Sequence, residues 1–326
     1  MLNLIRSNLY RLVHGKMTYV ALALLVAYFG LTTYSNFQSS QPADIAQMEQ
    51  DLVQMKRENA EPADIAQMEQ TIHAFETHVL NGGYTDANSV GIAPGGLLGA
   101  ILCVLTALFC YQDFSAGFAK SQLSALAGRQ MRAGHPPMGR GSYYAAKLTT
   151  LAIMDAAFLT ITIALGTASN AILGFTVSDP EPAWQIAIWA LLTWLLLCGY
   201  TFLTAAACWI LKSSAAGVIF SLLAGSQALE SLIMVVLNSV ARATGGPALS
   251  NLAAAVGEWL PMTSTNILLN GAPALFGGLG DTAWADAIQA LATTAHPLTH
   301  VLATGLVFCI VTSMLAVAIA RKRDVA

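Results

Sequence analysis

Apolar residues fill six long windows of this chain, and polar positions gather between them. The windows run over about 17–34, 93–111, 146–173, 184–211, 214–240 and 298–320. Each is close to the roughly 20 apolar residues that a bilayer's hydrocarbon core requires of a spanning helix. Lipid offers no partner to a backbone N–H or C=O, so each window can satisfy its own backbone only as a helix. The pattern predicts an all-α, polytopic membrane protein with six transmembrane helices.

Between the windows the periodicity changes. In residues 1–16, Leu2, Ile5, Leu9, Leu12 and Val13 fall on one helical face while Arg6, Asn8 and Arg11 occupy others. This predicts an amphipathic helix lying along the headgroups. Within the segment 35–92, "PADIAQMEQ" occurs at 42–50 and again at 62–70. Ile45, Met48, Leu52 and Met55 are spaced 3-4-3, and Ile65, Met68, Ile72, Phe75 and Val79 are spaced 3-4-3-4, which is a heptad pattern. Pro42 and Pro62 suit a first helical turn, and Asp44 and Asp64 suit the positive helix end. Two short helices forming a hairpin are expected, as a spacer or lid or as a recognition surface. The segment 241–297 holds two helical patterns, "NLAAAVGEWLPMTSTNILLN" and "DTAWADAIQALATTA", separated by "GAPALFGGLG". Trp259 before Pro261 marks an interfacial or re-entrant helix. Short connectors at 174–183 and 212–214 complete the plan.

Composition agrees with the windows. The chain has 326 residues, of which 56% are hydrophobic and 10% charged, with a mean hydropathy of +0.59. A soluble domain carries about 25% charged residues. Net charge is −3, and its distribution says more than its size. Twelve cations (Arg6, Arg11, Lys16, Lys120, Arg129, Arg132, Arg140, Lys147, Lys212, Arg321, Lys322 and Arg323) fall on one side of the six-span plan. Lys56, Arg57 and Arg242 fall on the other. Cytoplasmic loops retain Lys and Arg, so both termini, the segment 112–145 and the tail 321–326 are expected in the cytosol. The hairpin after the first span and the segment 241–297 are then extracytoplasmic. No small-residue cleavage site follows the first window, which reads as an uncleaved span. The cysteines Cys103, Cys110, Cys198, Cys208 and Cys309 all lie within the windows, as small packing residues rather than a disulfide or zinc framework.

Enzymatic signatures are missing. The chain has no H-E-x-x-H, G-x-S-x-G or C-x-x-C motif, and "GFAKS" at 117–121 lacks the glycines of a phosphate cradle. His296 and His300 stand four residues apart with no third ligand in view, which fits interfacial histidines better than a zinc site. Asp155 and Glu230 are the acids inside the windows. A carboxylate at mid-bilayer costs about 2.5–3.5 kcal/mol on insertion scales, so each needs a partner, a cavity or a boundary. They read either as helix–helix hydrogen bonds or as a proton or cation relay. The runs "TAAAC" and "SSAAG" suit close helix packing.

One connector carries a third of the cations and a single acid, Asp113. Its residues Asp113, Gly117 and Lys120, then Gly139-Arg140 and the "YYAAK" ending at Lys147, resemble the ABC-2-type permease family, the membrane subunits of many bacterial ABC exporters. The likeness extends to the amphipathic start, the six spans, the large first outer loop, the broken segment after span five and the basic tail. Phe118, where the family usually has a hydroxyl residue, and the duplicated hairpin depart from it. The resemblance implies no enzyme activity and no cofactor on this chain. It implies ATP and Mg on a partner, a cytosolic ABC ATPase subunit, and a second permease copy or homologue. It places the protein in the bacterial cytoplasmic membrane and assigns no nucleic acid. It makes the connector the coupling segment, with Asp113, Phe114, Gly117, Phe118, Lys120, Leu123 and Arg140 as its docking positions. Anchoring to anionic membrane lipids is a second use for the same cations. Two other classes stay open: an ion-coupled secondary transporter using Asp155 and Glu230, and a membrane scaffold or sensor using the hairpin. The substrate and the choice of homodimer or heterodimer are not legible.

Overall fold

A computed structural model of the chain describes residues 2–80, 82–115, 140–244, 247–276 and 296–322. Within these the fold is helical. In chain order the helices are α1 (Leu2–Val13), α2 (Lys16–Ser39), α3 (Pro42–Arg57), α4 (Pro62–Thr77), α5 (Tyr84–Ile92), α6 (Leu97–Ser115) and α7 (Arg140–Ile172). They continue as α8 (Ala183–Leu211), α9 (Ser214–Gly225), α10 (Ala228–Thr244), α11 (Pro247–Trp259), α12 (Pro261–Leu269), α13 (Pro273–Phe276) and α14 (Pro297–Lys322). Four helices are long and apolar enough to cross a membrane: α2, α7, α8 and α14. The chain is therefore an all-α protein of membrane-spanning type.

The other two windows depart from straight spans. The window 214–240 is broken at Ser226–Gln227 into α9 and α10, which meet at a 70° bend. Gln227 has φ +61°, outside the helical range, and this turns the chain. The window 93–111 begins as a turn at Ala93–Gly96, with Gly95 at φ +87°, and only then enters α6. Glycine carries such a φ without strain. The α7 helix runs 33 residues from Arg140, so 140–145 belong to a helix rather than to a connector. At 1.5 Å per residue it is about 50 Å long, more than a hydrocarbon core.

Close helix contacts rest on small residues. The α8–α9 connection is only Lys212–Ser213, and a Cβ at Gly217 would stand 3.1 Å from the Cys208 sulfur. Against α14, Gly199 gives the Phe308 ring room to lie on the α8 backbone. Between α6 and α9 the backbones themselves meet, with Gly99 facing Gly225. The core fills with Leu98, Leu102, Leu151, Leu196, Leu197, Trp189 and Trp209, all buried. All five cysteines are free thiols, and four are buried.

The hairpin has its duplicated sequence on two antiparallel-linked helices, α3 and α4, each with proline in its first turn. The heptad positions are its less exposed ones, and Lys56 reaches Glu69 across it at 2.6 Å. Val79 leaves the heptad: α4 ends at Thr77, His78 turns to φ +53°, and Val79–Leu80 pair in parallel with Thr176–Val177. This two-residue ladder ties the hairpin to the α7–α8 connector.

In α1 the packed face differs from the expected one. Leu4, Asn8 and Leu12 are buried, while Leu2, Tyr10 and Val13 are exposed. The 4-8-12 stripe is also helical, and α7 takes it because that helix offers protein packing where the headgroups offer none.

The α6–α9 crossing gives a direct test. A methyl at Gly225 would sit 2.8 Å from the Ala100 Cα and 2.9 Å from the Gly99 carbonyl oxygen, both backbone atoms. Overpacking of this kind costs about 1–3 kcal/mol. Gly225→Ala should lower the melting temperature in detergent, and Gly225→Val should lower it further, whereas Gly30→Ala, which meets no atom within 4 Å at an ordinary helical backbone, should change it little.

Candidate functional site

The structure gathers polar side chains at three levels. At the first, the end that carries most cations, α1, α6 and α7 converge. Lys147 is fully buried; its Nζ donates to the Phe109 carbonyl at 3.2 Å and lies 4.4 Å from the Phe109 ring centre. The Arg11 guanidinium stands 5.6 Å from the same ring and donates to the Gln112 side chain at 3.2 Å. A cation over an aromatic face is held electrostatically, and more strongly when desolvated. Tyr144 then packs edge-on to Trp209 at 4.8 Å, bringing in α8. The last turns of α6 and the first turns of α7 are thus fastened together, and these are the two ends of the basic connector.

Of the connector's own positions, Asp113 and Phe114 lie in the last turn of α6, and Arg140 opens α7. Gly117, Phe118, Lys120 and Leu123 lie outside the described residues.

At the second level, mid-bundle, Asp155 is buried on α7. The Thr201 hydroxyl of α8 lies 2.8 Å from its Oδ2, and its Oδ1 meets no donor among the described residues. Thr201 also reaches the Cys198 carbonyl at 3.1 Å, so its single proton serves two acceptors. The partner is a helix–helix contact, from α7 to α8.

The third level, at the opposite end, holds Glu230 and Glu181. Glu230 opens α10 just after the bend. Its Oε1 accepts from the Tyr200 hydroxyl at 2.6 Å, and its Oε2 accepts from the Met262 N–H at 2.6 Å. Gln227 donates to the same tyrosine oxygen at 3.1 Å. The first N–H groups of a helix have no internal partner, so Glu230 caps α12 from another helix. His300 does the reverse for α11: its Nε2 lies 2.9 Å from the Glu258 carbonyl, which can only accept, so Nε2 carries the proton. His300 is fully buried against Trp259 and Ser264, whereas His296 stays exposed outside the helix. They share no site, and no group of metal-ligating side chains is found among the described residues.

Glu181, between Pro180 and Pro182, repeats the capping device on α5. Its carboxylate accepts from the Tyr84 N–H at 2.6 Å, the Thr85 N–H at 3.1 Å and the Thr85 hydroxyl. Thr85 Oγ1 also accepts from the Ala272 N–H at 2.6 Å, and Ser89 donates to the Leu269 carbonyl at 2.5 Å. One carboxylate therefore links the segment after the hairpin, the α7–α8 connector and the α12–α13 turn. Sequence reasoning passed over it; two prolines fixing an acid in a ten-residue connector were the available signal. Lys147 stood in the quoted motif with no role, and Phe109, Arg11 and Tyr200 carried no signal.

Two measurements follow. Glu230→Leu removes the acceptor of both Tyr200 and Met262, leaving buried donors that cost about 1–3 kcal/mol each. Glu230→Gln keeps a carbonyl acceptor, so its thermal destabilisation should be much the smaller. Asp86, beside Glu181, has its carboxyl pushed above the ordinary 3.8, first by burial and then by the Glu181 charge. A raised carboxyl is bound to its proton more tightly in the folded state than in the unfolded one. Its contribution is therefore present at low pH and lost as pH rises from about the unperturbed value through the raised one. Melting temperature followed upward across that window should fall less in Asp86→Asn than in the wild type. No family model, no curated protein and no solved structure matches the chain.

Proposed function

We propose that this chain is the membrane-spanning permease subunit of an ATP-driven exporter of the ABC-2 type. In this reading the basic end faces the cytosol, and a separate ABC ATPase docks on the connector between α6 and α7. The observation that carries the reading is that connector. With the first turns of α7 it holds a third of the chain's cations, it resembles the family's coupling segment, and its two ends are pinned by Lys147, Phe109 and Arg11. A movement of the ATPase reaches the membrane only through a rigid handle. A buried cation bonded across two helices supplies such rigidity. The α6 helix then leads to the Gly99–Gly225 crossing, next to the bend that carries Glu230. Force applied at the connector meets the capped elements of the opposite end along this line.

A second reading, an ion-coupled carrier, is favoured by Asp155, whose Oδ1 meets no donor among the described residues. It requires flux from the purified chain alone in liposomes under a pH or sodium gradient, and loss of that flux in Asp155→Asn.

The exporter reading expects the chain to co-purify with a cytosolic ATPase. Phe118→Asp combined with Leu123→Asp should break that complex and ATP-dependent transport together; if both persist, the connector is not the docking site. Lys147→Met should leave the complex intact. Loss of a hydrogen bond from a charged group costs about 1.5–3 kcal/mol, so transport should fall tenfold or more while ATPase binding holds.

A further inference from the structure

An apolar groove of about 720 Å³ runs between α7, α8 and α14, within the size of ordinary ligand pockets. Ala145, Leu148, Trp194, Cys309, Met314 and Ala318 line it. Its polar groups are turned away from any occupant. The Trp194 N–H donates to the Ala152 carbonyl at 2.8 Å, Thr149 to Ala145 at 2.9 Å and Ser313 to Ile310 at 2.8 Å. The wall thus offers ring faces, methyl groups and the weakly polar thiols of Cys198 and Cys309, which suits an alkyl chain and no polar head.

The groove has a direction. It occupies the part of α7 nearest Arg140 and the part of α14 nearest its basic C-terminal turn. Ala145 lies about 7.5 Å along α7 from Arg140, and Ala318 about 6 Å along α14 from Lys322, at 1.5 Å per residue. Arg321 is in the same last turn. The helices bounding the mouth therefore end in three cationic positions, which favours an occupant with a negative head.

We propose that this groove binds the acyl chain of an anionic phospholipid from the leaflet at the basic end, with the headgroup at the level of Arg140, Arg321 and Lys322. The site is independent of the exporter reading, since neither an ATPase nor a transported substrate enters the argument. Because Arg140 also begins the helix that leaves the connector, a headgroup held there fixes the connector's root to the membrane surface.

Trp194 supplies the probe. The full chain is reconstituted in phosphatidylcholine containing a minor fraction of acyl-brominated phosphatidylglycerol or, separately, acyl-brominated phosphatidylcholine. Quenching of Trp194 is taken as the difference between wild type and Trp194→Phe. Brominated phosphatidylglycerol should quench Trp194 more strongly at equal mole fraction. A basic residue near the surface favours an anionic head by about fivefold, so Arg321→Gln and Lys322→Gln should each lower the preference by up to that factor. Ala152→Phe, which fills the groove wall, should remove the excess while helix content by circular dichroism is unchanged. Equal quenching by the two lipids would show ordinary boundary lipid and overturn the site. So would absence of quenching, or a preference that survives both the charge removals and the filled groove. If Ala152→Phe fails to fold, Leu148→Trp in the Trp194→Phe background reports the same groove by its own quenching.

Discussion

A helix that stops inside a low-dielectric layer leaves its first N–H groups and last carbonyls without partners, and no water comes to meet them. This chain breaks its helices repeatedly, at Ala93–Gly96, at Ser226–Gln227 and at Leu260. Three helix ends are met by side chains from distant parts of the sequence. Glu181 caps α5, Glu230 caps α12, and His300 takes the final carbonyls of α11. A carboxylate in such a place accepts two or three N–H or O–H donors, and a positive helix end faces it. Glu230 is therefore explained as a structural cap, without any need for a relay.

The two ends of the bundle are built on different physics. The basic end is held by packing and by cations over rings, with Lys147 and Arg11 on Phe109. Such contacts hold long, continuous helices such as α7 rigidly. The opposite end is held by hydrogen bonds among short elements, concentrated on Thr85, Glu181 and Tyr200. Each short element there is held by several such bonds, α5 through Tyr84, Thr85 and Ser89. Gly99 and Gly225 stand between, where α6 and α9 touch backbone to backbone.

Much of the plan was legible in the chain itself. Runs of apolar residues announced α2, α7, α8 and α14 because lipid exposure demands apolar side chains all round the helix. The duplicated stretch announced α3 and α4, since Pro42 and Pro62 open helices and the heptad face keeps its period in both copies. Small residues at "TAAAC" and "SSAAG" announced a close α8–α9 hairpin, and Gly217 against Cys208 is that contact. The breaks were not legible. Gln227 at φ +61° looks like any polar residue in a helix, and nothing local marks it as a bend. The α1 helix held two stripes of helical period, and only α7 selected Leu4 and Leu12 over Leu2 and Val13.

What the sequence alone determined was class and period: an all-α chain with long apolar helices, a helical duplicated segment, and one connector rich in positive charge. These follow from solvent and from spacings of three and four residues, both local properties. Only the tertiary structure decided which acid meets which helix end, because Glu181 and Thr85 are 96 residues apart and Glu230 and Met262 are 32 apart. A capping bond depends on direction and on distances of about 3 Å, and no pattern along a chain encodes that. It is the folding of the long helices that brings an acid in one connector to the unpartnered N–H groups of another.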